Sequence, residues 1–440
     1  MKTFDSLPAL APVFPAKAED IVIINEPVSF YDVLKDKIIN SKRQITLASL
    51  YFGPEEKEII NLLRESLAAN KDLKLKILLD CLRGTRKTKT GSSIEVLSPL
   101  QDEFPDRVEL HFYHTPDLTG WSKKLIPNRF NETIGLMHIK AYLFDDDVIL
   151  SGYNFYANLS KDYFSNRQDR YYLFKNNLPL LSYFQMLIDT LSEISYKAKP
   201  NNDEKMPYLL KMENFPDPVY ESSNDTVIVP IIQMAPLNIF QDQTVTLSLL
   251  RAIDNSGRFQ NEKYSTAITS GYFNFNQLYQ ERILSTSALF RIITASPEAN
   301  GFFNSKGVSK FIPDAYTLIE KEFLFKVKGK HREKTIKVEE YHRDKWTYHA
   351  KGLWMYKPNE SIPFLTMIGS PNYGSRSLER DLEAQAIIVT SNVKLRTAMQ
   401  KELDNIEDYV NPISLDDLET QNREPRLFAK VATPIIKSML

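Results

Sequence analysis

The sequence predicts an α/β fold built twice over. Short β-like runs alternate with helical periodicity along the whole chain. The same order of anchors occurs in both halves, and a histidine-x-lysine pair opens a strand once in each, at His138–Lys140 and at His349–Lys351.

The elements follow in order. Ser29–Arg43 has helical apolar spacing, and Gln44–Phe52 reads as a strand. Pro54 and the glutamates after it suit the first turn of a helix, which carries Ile59, Ile60, Leu63 and Leu67 on one face. Leu73–Asp80 and Arg107–His114 read as the next strands. The strand opened by His138 then reaches a turn at Asp145–Asp147 and returns through VILSGYN. In the second half TVTLSLLRAI is helical and Ser265–Phe273 is a strand. A helix through Leu278, Ile283 and Leu284 precedes a strand at Leu289–Ala295, and the strand opened by His349 comes later. LASLYF aligns with ITSGYF, KILLD with RIITA, HIK with HAK, and SGYN with GSPN. The expected division is a first half over 1–197, a connector rich in proline and asparagine over 198–241, and a second half over 242–440.

Composition bounds the function. A chain of 440 residues can bury two cores, and 42% apolar with 25% charged residues is ordinary for a globular protein. A net charge of −1 argues against a nucleic-acid partner. The single cysteine, Cys81, allows no intrachain disulfide. No run of 18 or more apolar residues predicts a spanning helix. The proline-rich N-terminus has the look of neither a secretory signal nor a transit peptide.

One histidine-x-lysine tripeptide is weak evidence, because such short patterns arise by chance. Two at matching places in a repeat are specific. Residues two apart in a strand share a face, so each histidine should project with its lysine. If the halves pack about a pseudo-two-fold axis, both pairs can meet in one cleft. Such a cleft suits phosphoryl transfer without a metal or an organic cofactor. The lysines would neutralise phosphate oxygens, one imidazole would attack phosphorus, and the other would move the proton. Asn154 and Asn372 follow the next strands and can donate to phosphate oxygens. Asp169 and Glu383 each precede a new apolar strand, where a carboxylate can fix a histidine's tautomer.

These residues resemble the phospholipase D superfamily motif, H-x-K-x4-D followed by G-S-x-N. His138, Lys140 and Asp145 match its first part, and SGYN is a permuted form of the second. The second copy matches at His349, Lys351, Gly369, Ser370 and Asn372 but has Tyr356 where aspartate is expected, before a longer hairpin. More narrowly, the chain resembles the eukaryotic, mitochondrial type of phosphatidylglycerophosphate synthase. ASLYFG, LRGTR, FNETIGLMHIK, LFDDDVILSG, FSNRQDRY, SGYFN, YHAKGLW and IGSPNYGSRSLERDLEAQ carry that resemblance along nearly the whole chain.

The resemblance implies two phospholipase D-like α/β/α halves around a shared cleft. It implies that CDP-diacylglycerol and glycerol 3-phosphate give phosphatidylglycerophosphate and CMP, at the mitochondrial inner membrane, on the way to cardiolipin. The expected catalytic set is His138, Lys140, Asp145, His349 and Lys351. His138 is assigned as nucleophile because it alone sits in a complete motif, and His349 as acid/base. Asn154, Asp169, Ser370, Asn372 and Glu383 are expected around the substrate. Because the acceptor carries a phosphate, extra cations are expected among Arg83, Arg86, Arg167, Arg170, Arg376 and Arg380. A phosphatidylserine synthase would use the same chemistry with serine as acceptor. A non-enzymatic lipid-binding module would need no paired histidines.

One substrate is a two-chain lipid, so peripheral contact with an anionic membrane is expected. Thr119–Phe130 mixes Trp121, Leu125 and Ile126 with Lys123 and Lys124, as an interfacial patch does. The C-terminal LFAKVATPIIKSML is a second candidate.

Overall fold

A computed structural model describes residues 9–118, 131, 133–155, 166–197, 224–254, 262–305, 307–420 and 423–437. Its two large sheets share one topology. In the first, strands run in the spatial order 196–197, 108–113, 74–80, 44–49, 141–144, 147–151, 171–174, 21–24. In the second, the order 410–413, 336–341, 289–295, 265–269, 352–356, 365–369, 382–390, 226–234 repeats it strand for strand. In both, three parallel strands joined by helical crossovers continue into an antiparallel meander.

Alternation along the strands sorts side chains between layers. In Lys74–Asp80, Ile77 and Leu79 face an outer core with the helices Pro27–Asn40 and Lys57–Ala69, while Leu78 faces inward. A single inner core joins both sheets with the helices Leu178–Glu193 and Val393–Glu407. The outer core of the second sheet holds the helices Gln241–Ala252 and Ile312–Gly329. The halves therefore share a buried apolar layer.

Two features depart from expectation. The segment expected as a connector contains the strand Thr226–Met234, paired along its whole length with Leu382–Thr390, so the second sheet starts well before residue 242. The N-terminal strand Phe14–Ala16 pairs with Thr226–Ile228 in the second sheet, although it belongs to the first half by sequence. Its Pro15 is tolerated because the strand is an edge.

Arg170 fastens the halves together. Its guanidinium is fully buried against Glu402, with Nε and Nη2 at 2.8 and 2.9 Å from the carboxylate. Its Nη1 donates to the carbonyls of Lys351 and Met367, and its plane covers Trp354 at 3.9 Å. A Cβ at residue 352 would lie 2.2 Å from Nη1, and Gly352 also has a φ of +123°, so glycine is required here on two counts. Arg170 is thus structural rather than a phosphate ligand.

Candidate active site

Both histidine-x-lysine tripeptides lie just before their strands, not inside them: the strands begin at Ala141 and Gly352. Each tripeptide is held by backbone pairing with the opposite half. The His138 N–H donates to the Leu382 carbonyl at 2.8 Å, and the Leu382 N–H to Leu136 at 2.8 Å. In reciprocal fashion the His349 N–H donates to Gln168 at 2.8 Å, within a short parallel pairing of Thr347–Tyr348 with Arg167–Gln168. The two exchanged ladders are equivalents of one another, as a pseudo-two-fold relation between the halves requires.

The exchange decides the histidines' partners. His138 Nδ1 lies 3.0 Å from both carboxylate oxygens of Glu383, a residue of the second half. His349 Nδ1 lies 2.8 Å from Asp169 Oδ2, a residue of the first half. A carboxylate on Nδ1 fixes the proton there and leaves the Nε2 lone pair for a substrate. Lys351 Nζ also lies 2.9 Å from His349 Nδ1 and donates to the His349 carbonyl at 2.8 Å. Lys140 likewise donates to the His138 carbonyl at 2.6 Å. Asp169 and Glu383, expected near the substrate, are in this geometry positioning residues.

Glu383 is itself held by the hydroxyls of Ser370 and Ser377. Ser370 therefore supports a carboxylate. In the first half Gly152 packs beside Asp169, and a Cβ there would come within 2.4 Å of Asp169 Oδ1. Asn154 accepts the Leu50 N–H at 3.1 Å, and Asn372 lies 3.5 Å from Ser270 Oγ.

Electrostatics favour neutral imidazoles. Burial, with Lys140 adding to it, holds His138 well below the usual histidine range. Burial and then Arg167 and Lys351 do the same for His349. Burial pushes Lys140 down to about 8, against the pull of Glu383 and Asp169. Lys351 is pushed down to about 7, again by burial first. Burial raises both carboxylates, with the lysines opposing. A phosphodiester entering this cleft would restore full charge to both lysines.

Two acids carry no motif signal. Asp381 accepts the Leu136 N–H at 2.9 Å and Asp80 accepts the Met137 N–H at 2.9 Å, so the approach to His138 is fixed at three consecutive amides. Asp80, at the C-terminal end of its strand, also caps Arg83. His138, Asp381 and Glu383 bring potential metal-ligand atoms within 4.8 Å of one another. Their oxygens already accept the hydrogen bonds described above or the Arg376 Nε–H at 2.9 Å.

The expected arginines divide. Arg376 pairs with Asp381, and Arg380 donates to the Thr133 carbonyl at 2.9 Å, both in the segment between Asn372 and Glu383. Arg167 is buried and bears on both lysines and His349. The Arg83 guanidinium covers Tyr51 at 4.6 Å, and Arg86 is exposed. Trp121, Leu125 and Ile126 lie outside the described residues.

Asp145 does not join the catalytic set. It sits at the far end of the strand, roughly 15 Å along from Lys140 at the usual rise. There its carboxylate accepts the N–H groups of Lys42, Arg43 and Gln44 at 2.8, 2.8 and 3.1 Å. Tyr356, its counterpart, donates to Gln400 at 2.8 Å. Both residues secure a hairpin end, one with a charge and one with a ring and hydroxyl. Burial raises the Asp145 carboxyl, but the three amides outweigh it and hold it below the usual range. Asp145→Asn should therefore cost about 1–2 kcal/mol of stability and leave turnover per folded molecule within about threefold, as denaturant melts beside active-site-normalised rates would show.

This arrangement, two sheets of one topology with histidine-lysine pairs meeting across their axis, defines the phospholipase D-like class. Residues 34–184 match the family model "Cardiolipin synthase, PLD-like domain". The phosphatidylserine synthase of Haemophilus influenzae shares the fold over 100% of both chains, with a TM-score of 0.78 and 19% identity. The mitochondrial CDP-diacylglycerol–glycerol-3-phosphate 3-phosphatidyltransferase of Gallus gallus is 38% identical over 98% of this chain and 85% of its own. The Saccharomyces cerevisiae enzyme of that name is 38% identical over 97% of this chain and 89% of its own. The chain belongs to the family of CDP-diacylglycerol–glycerol-3-phosphate 3-phosphatidyltransferases.

Proposed function

We propose that the chain transfers the phosphatidyl group of CDP-diacylglycerol to a hydroxyl of glycerol 3-phosphate through a phosphatidyl-histidine, giving phosphatidylglycerophosphate and CMP. The reciprocal histidine–carboxylate pairs carry this reading. His138 Nε2 attacks the phosphatidyl phosphorus, and the bond to the CMP oxygen breaks. That leaving oxygen belongs to a phosphate monoester with a pKa of about 6, so it departs without a strong acid. His349, held neutral by burial, then takes the proton of the acceptor hydroxyl as its oxygen attacks phosphorus and releases His138. Lys140 and Lys351 compensate the charge that builds on the nonbridging oxygens.

The same site could in principle serve serine, and the arginines at 376 and 380 support the phosphorylated acceptor. The mitochondrial relatives support a mitochondrial placement, and the lipid substrate supports the inner-membrane surface. Incubation of CDP-diacylglycerol with labelled glycerol 3-phosphate, serine or water tests the reading. Glycerol 3-phosphate should be consumed one for one with CMP release. Preferential consumption of serine or water would overturn it.

A further inference from the structure

The C-terminal helix Leu427–Ile436 is turned the wrong way for a helix packed on a globular body. Its small residues, Ala429 and Thr433, are buried. Among its described side chains the large apolar ones point outward: Leu427 is 77% exposed, Val431 66% and Phe428 49%, with Pro434 exposed beside them. Surface helices bury the apolar stripe and expose the polar one. We propose that this outward face is the membrane-docking surface, seating the protein on an anionic bilayer with the active-site mouth against the lipid. The inference deepens the reading above, since it rests on a bilayer-held donor.

Position favours a bilayer. The helix lies along Ile312–Gly329, pinned by Arg426–Asp314 at 2.6 Å and Lys437–Glu322 at 2.5 Å. Its end reaches a loop that flanks His349, because the Lys437 carbonyl accepts the Asn274 amide at 3.0 Å. Asn274 belongs to the loop after the strand Ser265–Thr269. In that loop a Cβ on Gly271 would sit 3.3 Å from His349 Cα, and Phe275 pairs with Gly374 near Asn372. Phe311 packs on Phe428 with centroids 4.6 Å apart. In the segment from 423 to 437 each cation has an acid partner: Arg423 pairs with Glu340, Arg426 with Asp314, Lys430 with Glu424 and Lys437 with Glu322. Exposed Lys310 stands over Phe311 at 5.0 Å. Apolar side chains rimmed by cations are what an anionic interface takes up.

The double variant Leu427→Ser/Val431→Ser tests this, because both side chains face solvent and their loss should leave the melting temperature unchanged. Flotation with mixed phosphatidylcholine–phosphatidylglycerol vesicles should show partition weakened roughly tenfold or more, with turnover on those vesicles falling in parallel. Turnover on detergent-dispersed CDP-diacylglycerol should stay at the wild-type rate. Unchanged vesicle binding would overturn the proposal. So would a wild-type dimer in sedimentation that the variant dissociates without loss of vesicle affinity, since the face would then serve a second copy of the chain. An inactive wild type in detergent would instead count against the proposed reaction, while flotation would still read the docking surface.

Discussion

His138→Ala and His349→Ala are each expected to abolish transfer while leaving the melting temperature near that of the wild type. Each imidazole has one carboxylate at Nδ1, and truncation removes the ring that this carboxylate orients. The two variants should nonetheless fail differently. With His138 absent no covalent intermediate forms, and no exchange of labelled CMP into CDP-diacylglycerol should appear. With His349 absent the first step needs no strong acid, so a labelled phosphatidyl-protein should accumulate in the absence of an efficient base for the acceptor. Detergent-quenched gels kept at neutral to alkaline pH, where a phosphorus–nitrogen bond survives, read this directly after incubation with donor labelled at its phosphatidyl phosphorus. Label on the His138→Ala protein and none on His349→Ala would reverse the roles. Near-normal turnover in either variant would remove paired-histidine chemistry altogether.

Lys140→Ala and Lys351→Ala should each lower the rate by on the order of 10²–10³, the usual loss when one preorganised charge is removed. The pH profile gives a sharper test. Lysine is charged below its pKa, and burial places Lys351 at about 7 and Lys140 at about 8. Values of kcat/KM should therefore fall as pH rises through that window, Lys351 losing its proton first. On the acid side the histidines stay neutral well below their ordinary range, so activity should persist below the pH at which a solvated histidine protonates. Lys351→Arg keeps a charge at every accessible pH. Its profile should lose the lower alkaline step even if its absolute rate is reduced. A wild-type profile flat to high pH, or an arginine variant with an unchanged alkaline step, would show that these lysines do not titrate in the free enzyme.

Much of this was legible in the chain. Strand and helix signals are local, set by period-2 and period-3.6 patterns over a few residues. The repeat of LASLYF, KILLD, HIK and SGYN in ITSGYF, RIITA, HAK and GSPN therefore predicted two sheets of one topology. The spacing of His138 to Lys140 and of His349 to Lys351 located the reactive groups without any tertiary knowledge, and Asp169 and Glu383 were recognisable as carboxylates that could hold a tautomer.

What the chain could not show was which partner each group takes. Asp169 holds the histidine 180 positions away, and Glu383 the one 245 positions away. That exchange follows from the register in which two folded halves pair, and no local pattern encodes a register between distant segments. Asp145 satisfied the motif letter for letter, yet the strand carries it away from the cleft to a hairpin end. Arg170 had the composition of a phosphate ligand, and only burial against Glu402 and Trp354 made it a fastening between halves. The apolar C-terminal segment showed no more than a candidate for membrane contact, with no sign of which side chains would be exposed. The body of the protein decided which face is covered, burying Ala429 and Thr433 and leaving Leu427 and Val431 outside, because the covered face of a helix depends on the surface it meets.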